Sequence, residues 1–189
     1  MTDNKVLMAQ AREALKGKWG IAAGVTFIYA IITIVVGSPE DIGPVLQVLI
    51  EGPLALGLAL FFLSLHRKQE IAVSQVFAGF NDYLRSLAAY VIMTVFILLW
   101  SLLLIVPGII AALAYSQPFF ILAEDKSIGA RDAIRKSKAM MNGHKKKLFY
   151  LTCRFIGWFL LGALTLGIGF LWIMPYLYVT RAKFYDEVS

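Results

Sequence analysis

The sequence predicts an all-α protein, a polytopic helical membrane bundle, and two observations carry this prediction. The chain is 59% hydrophobic and only 16% charged, with a mean hydropathy of +0.73. Soluble domains are about half apolar and about a quarter charged. Long apolar runs also alternate with short cationic clusters along all 189 residues. We therefore predict six transmembrane helices and three cytoplasmic amphipathic helices in a single integral membrane domain, residues 1–189.

The distribution of Lys and Arg predicts the topology. All 18 of these residues can be placed on one side of a membrane, because three connectors between apolar runs contain none. The connectors are residues 37–43, Pro107-Gly108 and residues 167–169. Cytoplasmic loops retain cations, since their translocation is disfavoured. We therefore expect both termini to lie in the cytoplasm.

Six apolar runs are candidates for membrane-spanning helices. In chain order they are Trp19–Val36, Pro44–Leu65, Leu84–Val106, Gly108–Ala123, Leu148–Leu166 and Ile168–Thr180. A spanning helix needs about 20 residues, so the fourth and sixth runs are short. Pro53, Pro118 and Pro175 lie inside the second, fourth and sixth runs. Breaks in a membrane helix are tolerated where protein or water satisfies the freed backbone. These three helices are therefore candidates for a break or a kink at the proline.

Three polar segments between the runs have the character of amphipathic helices. They are Asp3–Lys16, Ile71–Ala78 and Ser127–Met141. Ser127 is a suitable N-cap for the third, and Asn142-Gly143 a suitable C-terminal pair. Helices of this kind commonly lie in the plane of the membrane interface.

The same pieces recur in an order that predicts a threefold internal repeat. Each unit contains an amphipathic segment, a glycine (Gly17, Gly79 or Gly143), a hairpin of two spans, and a proline in the second span. Recurrence at a fixed period is the sign of a repeat architecture. The repeat units are residues 1–65, 66–123 and 124–189. The alternative is three ordinary membrane hairpins, each preceded by a cytoplasmic linker.

Several short motifs together resemble a known family. They are residues 14–19, Gly52-Pro53-Leu54, residues 107–110, residues 119–125, residues 140–145, residues 155–158, residues 164–169 and Pro175-Tyr176. The chain is similar to a bacterial integral-membrane family of unknown function, DUF975. It is more loosely similar to the membrane region that precedes some glycerophosphodiester phosphodiesterases. The resemblance implies a bacterial plasma-membrane protein. Arg154 departs from the family pattern, which has a small polar residue there.

The proline-containing runs also supply the candidates for a polar cavity. Glu51 is a carboxylate inside an apolar run, and such groups are costly unless they are paired or hydrated. The alternative is a helix that begins at Pro53, with Glu51 capping it at the outer interface. Unwound carbonyls at Gln117-Pro118 and Pro175-Tyr176 would resemble discontinuous transporter helices, although packing kinks explain the same residues. The candidate cavity residues are Glu51, Pro53, Gln117, Pro118, Pro175 and Tyr176.

The third polar segment carries a basic patch. Its candidate residues are Arg131, Arg135, Lys136, Lys138, His144, Lys145, Lys146 and Lys147. Cations beside apolar segments attract anionic phospholipid headgroups, by about 1 kcal/mol each near the surface. The net charge of +6 is therefore assigned to a membrane surface or a protein partner, and not to nucleic acid. Retention of the topology alone would also explain these cations.

No catalytic motif is present, and we predict a protein that is not an enzyme, without a cofactor or a metal site. The leading function is a membrane protein whose basic cytoplasmic helices engage anionic lipid or a membrane or cytoplasmic protein partner. The alternative is a small permease or export component. A polar, membrane-deep cavity that reaches Glu51, Gln117 or Tyr176 distinguishes the two, because a scaffold can be packed solid.

Overall fold

The structure, a computed structural model, describes residues 2–189, and this part of the chain contains helices and no strand. The prediction of an all-α protein is therefore confirmed. The helices are α1 Asn4–Leu15, α2 Trp19–Gly37, α3 Gly43–His66, a 3-10 segment Val73–Asp82, α4 Tyr83–Leu103, α5 Ile105–Ala114, α6 Pro118–Glu124, α7 Ala130–Met140, α8 Lys145–Cys153, α9 Ile156–Leu164 and α10 Phe170–Val188.

Five helical stretches are long and apolar enough to cross a membrane. They are Trp19–Gly37, Gly43–His66, Val73–Leu103, Ile105–Glu124 and Lys145–Leu164. Helix α10 has 19 residues, but its C-terminal half contains Arg181, Lys183, Asp186 and Glu187. Large apolar side chains on the outside of the bundle, such as Leu102 at 84% exposure, fit a lipid environment better than water. These features are those expected of a helical membrane protein, whereas the sixth span stays a prediction.

The positions of the helix breaks differ from the prediction. Helices α3 and α10 continue through Pro53 and Pro175, so the alternative in which the chain is unwound there is wrong. A proline removes one backbone hydrogen bond and can kink a helix without ending it. The fourth run does break, between Ala114 and Pro118, and Pro118 begins α6. The fifth run also breaks, between Cys153 and Ile156, which the sequence analysis did not predict.

Two of the three polar segments also differ in detail. The second forms a 3-10 helix, Val73–Asp82, that continues directly into α4. The third begins at Ala130, so Ser127 is not its N-cap. The Ser127 hydroxyl and N–H instead donate to Oδ1 of Asp125, over 2.6 and 2.8 Å, which forms a local turn before the helix.

Each polar segment packs against a proline-containing helix of a different hairpin. In α1, the Arg12 guanidinium lies 5.7 Å from the ring centre of Tyr176 in α10. The 3-10 segment packs so closely on α3 that a Cβ on Gly79 would lie 2.0 Å from the Pro53 carbonyl oxygen. In α7, the Ser137 hydroxyl donates to the Ala114 carbonyl over 2.8 Å at the end of α5. The three contacts therefore form a closed ring around the bundle.

Helix α3 is the central helix of the bundle. It buries Leu54, Leu58, Phe61 and Phe62, and the Phe62 ring stacks on Tyr178 of α10 at 5.0 Å. The C-terminal ends of α3, α6 and α10 meet at one end of the molecule, where their charged side chains pair. Above that end, α3, α4, α5, α6 and α10 line a cavity.

Candidate functional site

A cavity of about 280 Å³ lies between α3, α4, the α5–α6 junction and α10. We call it the Glu51–Arg181 cavity after its two charged residues. Its polar groups are one carboxylate, one guanidinium, a serine and three tyrosines. The lining residues are Glu51, Ala55, Ala59, Tyr90, Met93, Ile97, Ala112, Tyr115, Ser116, Phe119, Phe120, Tyr178 and Arg181.

Glu51 lies within α3, eight residues after the helix begins at Gly43. The alternative in which Glu51 caps a helix that begins at Pro53 is therefore wrong. One carboxylate oxygen accepts a hydrogen bond from the hydroxyl of Tyr29 in α2. The other oxygen, Oε2, is buried and has no hydrogen-bond partner. Since a buried carboxylate is costly without partners, the site has unused capacity to accept hydrogen bonds or a cation.

Arg181 supplies the opposite charge from α10. Its Nη2 donates to the Ser116 carbonyl over 3.3 Å, at the break between α5 and α6. The break frees this carbonyl from the regular hydrogen bonding of a helix. Within residues 2–189, no ion pair includes either Arg181 or Glu51. The cavity thus contains one charge of each sign, and neither is neutralised by the other.

The two charges lie at different heights along the bundle axis. His66 Nε2 lies 3.0 Å from Asp186, so this pair marks one level in α3 and α10. At about 1.5 Å per residue, Glu51 lies about 22 Å above that level along α3, and Arg181 about 7 Å above it along α10. Tyr178 and Ala55 lie between them on the cavity wall. The two charges are therefore separated along the bundle axis.

The other predicted cavity residues do not line this space. Pro53 contacts the 3-10 segment, and Pro118 and Pro175 are buried. Gln117 is fully buried beside α7, where its backbone N–H donates to the Ser137 hydroxyl over 3.2 Å. Tyr176 belongs to an aromatic cluster with Trp19, Phe155 and Trp158.

Sequence reasoning missed most of the cavity wall. Arg181 looked like one more cation retained at the cytoplasmic end of the sixth run. Its spacing from Tyr178 places the two side chains on one helix face, and this was the available signal. Tyr90 and Tyr115 carried no comparable signal, because tyrosines are common at membrane interfaces.

The basic patch is a surface of α7 and the residues that follow it. Arg131, Arg135, Lys136 and Lys138 are exposed, whereas Ala133, Ile134 and Ser137 are buried against the bundle. Lys146 is exposed, while His144 and Lys145 are partly buried. Lys147 pairs with Glu187 over 2.6 Å, which offsets its charge. Arg154 is exposed to the outside of the bundle.

The meeting point of α3, α6 and α10 carries a second group of charges, which we call the end cluster. Nη2 of Arg67 lies 2.7 Å from both Glu124 and Asp186, and the Tyr185 hydroxyl donates to Glu124. Burial alone would raise the pKa of Asp186, but hydrogen bonds from His66 and Arg67 outweigh it and lower the pKa to about 2. The end cluster is therefore a network of mutually paired charges.

Among residues 2–189, no group of three or more His, Cys, Asp or Glu side chains is close enough to hold a metal ion. The Glu51–Arg181 cavity contains one such side chain, Glu51. Its chemistry is instead that of charge complementarity and hydrogen bonding.

Comparison with known proteins gives a family match. The family model described as protein of unknown function (DUF975) matches residues 1–112 and 102–189, which together cover the chain. No curated protein and no solved structure matches the chain. The looser similarity to the membrane region of glycerophosphodiester phosphodiesterases is not shown.

Proposed function

We propose that this chain, which belongs to the DUF975 family of proteins of unknown function, is a small permease or export component. In this proposal the Glu51–Arg181 cavity binds a polar solute, and the protein is not an enzyme. The single observation that supports it is the cavity with two unpaired charges of opposite sign. A scaffold has no use for such a cavity.

The energetic argument concerns the cost of these charges. Moving an ion out of water costs several kcal/mol even after relaxation, and a partner must offset that cost. Ionisable residues inside membrane bundles commonly face substrate or ion pathways. A bound polar solute would supply the missing partner to both Glu51 and Arg181.

Cysteine labelling tests whether solutes reach the cavity. Ala55→Cys, in a Cys153→Ser background, should react with a small hydrophilic thiol reagent, because Ala55 lines the cavity. Ala22→Cys is the matched control, since Ala22 is fully buried in α2 away from the cavity. A permease should label at residue 55 from each side of the membrane. An unreactive residue 55 would contradict the proposal, and labelling from one side only would indicate a binding protein.

The six-span topology with both termini in the cytoplasm belongs to this proposal. It is supported by the one-sided distribution of Lys and Arg. This topology places the turn of the second hairpin outside and Lys138 and Lys145 inside. The second hairpin tests it most severely, because these two lysines line the same groove as Trp100 and Pro107 near that turn. In intact cells, single cysteines at Ser38 and Leu104 should be labelled from outside. Cysteines at Ser137 and Ser189 should not be. If Ser38→Cys is labelled from outside and Leu104→Cys is not, the second hairpin is re-entrant and does not cross the membrane.

The threefold repeat is also part of the proposal. The closed ring of contacts supports it, since each polar segment meets the proline-containing helix of another unit. Gly17 and Gly143 also share a left-handed backbone, with φ of 76° and 83°. An experimental structure should superpose residues 1–65, 66–123 and 124–189. Unrelated orientations of the three polar segments would refute the repeat.

A second candidate function is the engagement of anionic lipid, or of an acidic protein partner, by the basic patch. The observation that favours it is the exposure of all four α7 cations on one side of a helix whose other side is buried. The two functions are compatible, because the patch and the Glu51–Arg181 cavity share no residues.

A further inference from the structure

We propose that the preferred solute of the Glu51–Arg181 cavity is an extended zwitterion, with its cationic end at Glu51 and its anionic end at Arg181. This inference rests on the proposed function, since it names the class of solute that the cavity would take. Three features of the cavity support it, namely its charges, its length and its wall.

The two charges disfavour solutes with no charge or only one, because such a solute leaves Glu51 or Arg181 without a counter-charge. An uncharged solute would leave both Glu51 Oε2 and the Arg181 guanidinium without a counter-charge. A cation would satisfy only Glu51, and an anion only Arg181. Discrimination of this kind arises because buried groups that stay unpaired disfavour the wrong ligand. Only a solute with both charges satisfies both ends.

The length of the cavity excludes zwitterions whose charges are close together. The Arg181 side chain extends to the Ser116 carbonyl. At about 1.5 Å per residue along α6 and the break before it, this carbonyl lies about 12 Å above the end cluster. Glu51 lies about 22 Å above the same cluster, so about 10 Å separates the two levels. Contacts of about 3 Å at each end leave on the order of 5 Å between the charged groups of the solute. An α-amino acid such as glycine is too short to meet both.

The wall between the two ends suits an apolar spacer. Ala55 and Ala59 form the α3 side, and the rings of Tyr90, Tyr115 and Tyr178 form the others. Methylene groups pack favourably against such surfaces. An ammonium group near the tyrosine rings would also gain from cation–π attraction. A linear ω-amino acid combines an apolar spacer with a charge at each end.

Titration calorimetry of the purified full chain in nanodiscs tests this inference. The probe is 4-aminobutanoate, and its matched controls are butanoate, butylamine and glycine. We expect 4-aminobutanoate to bind at least tenfold more tightly than each control. In Glu51→Gln, this advantage over butanoate should disappear, while butanoate binding stays unchanged. In Arg181→Gln, the advantage over butylamine should disappear in the same way.

Several outcomes would overturn the inference. Glycine or butylamine binding as tightly as 4-aminobutanoate would leave a solute cavity but refute the extended zwitterion. An absence of binding by all four probes would refute it too, and labelling of Ala55→Cys would then decide separately whether the cavity takes any solute. If a charge variant fails to fold, Ala55→Leu supplies a second test, because it narrows the cavity without a change of charge. It should abolish 4-aminobutanoate binding, and unchanged affinity would place the ligand elsewhere.

Discussion

Two groups of charges share helices α3 and α10, and the charges are paired in one group and unpaired in the other. In the end cluster, Arg67 contacts Glu124 and Asp186, and His66 contacts Asp186, all within 3.0 Å. In the Glu51–Arg181 cavity, neither charge has a counter-charge within the described chain. The charges of the end cluster neutralise one another, whereas the two charges of the cavity have no counter-charge.

This difference separates charges that hold the fold together from charges that are available to a ligand. Breaking a buried pair leaves an uncompensated charge and destabilises a protein strongly. Removing a charge that is already uncompensated relieves a cost. Stability measurements on matched substitutions therefore distinguish the two regions without knowledge of the solute.

The largest effect is expected from Arg67→Gln in the end cluster. It removes the guanidinium shared by Glu124 and Asp186, and leaves these carboxylates close to each other. We expect a loss of about 2 kcal/mol in the free energy of unfolding, below the 3–5 kcal/mol of fully buried pairs, because the side chains are about one-third exposed. Unfolding of the reconstituted protein by denaturant provides the measurement. An effect under about 0.5 kcal/mol would mean that the cluster does not stabilise the fold.

The pH dependence of stability should be the next largest effect. The pKa of Asp186 is lowered to about 2 by its hydrogen bonds to His66 and Arg67, despite burial. Its contribution is therefore complete above the unfolded pKa of about 3.9, and is lost as the pH falls toward 2. After allowance for solvent screening we expect about 1 kcal/mol. Melting temperatures between pH 5 and pH 2.5 should fall less steeply in Asp186→Asn than in the parent.

Arg181→Gln is the matched counterpart of Arg67→Gln in the cavity. The substitution removes a guanidinium that has no counter-charge and can retain a hydrogen bond to the Ser116 carbonyl. We expect the free energy of unfolding to stay within about 1 kcal/mol of the parent, and to rise if it changes, because the substitution removes an uncompensated charge. The same denaturant experiment compares the two arginines directly. Equal destabilisation by both would remove the distinction between the regions.

The smallest effect on stability is expected from the triple substitution of Arg135, Lys136 and Lys138 by Gln. The pair between Arg135 and Asp132 is highly exposed, with side-chain exposures of 81% and 60%. Exposed pairs contribute little, so stability should change by less than about 0.5 kcal/mol. Binding to vesicles containing anionic lipid should nevertheless weaken, and more at low salt than at high salt. Undiminished lipid binding would leave the patch with a role in topology alone.

The sequence predicted the helical membrane class because apolar runs and cation clusters report directly on the environment of each segment. It also singled out Glu51, since a carboxylate in an apolar run is unusual. It left open whether Pro53 and Pro175 break their helices or only bend them, because tertiary packing decides whether a proline ends a helix. Arg181 was missed for a related reason. Whether a cation at the end of a run faces water or a cavity depends on how neighbouring helices pack, which a single sequence does not show.

Thermal unfolding of Glu51→Gln and Glu124→Gln under the same conditions compares one carboxylate from each region. Glu124 accepts from Arg67 and Tyr185, so its substitution should lower the melting temperature, by the equivalent of about 1–2 kcal/mol. Glu51 has a buried oxygen without a partner, so its substitution should leave the melting temperature unchanged or raise it. A fall in Glu51→Gln as large as that in Glu124→Gln would show that Glu51 is a structural group, and would contradict the assignment of the cavity charges to a solute.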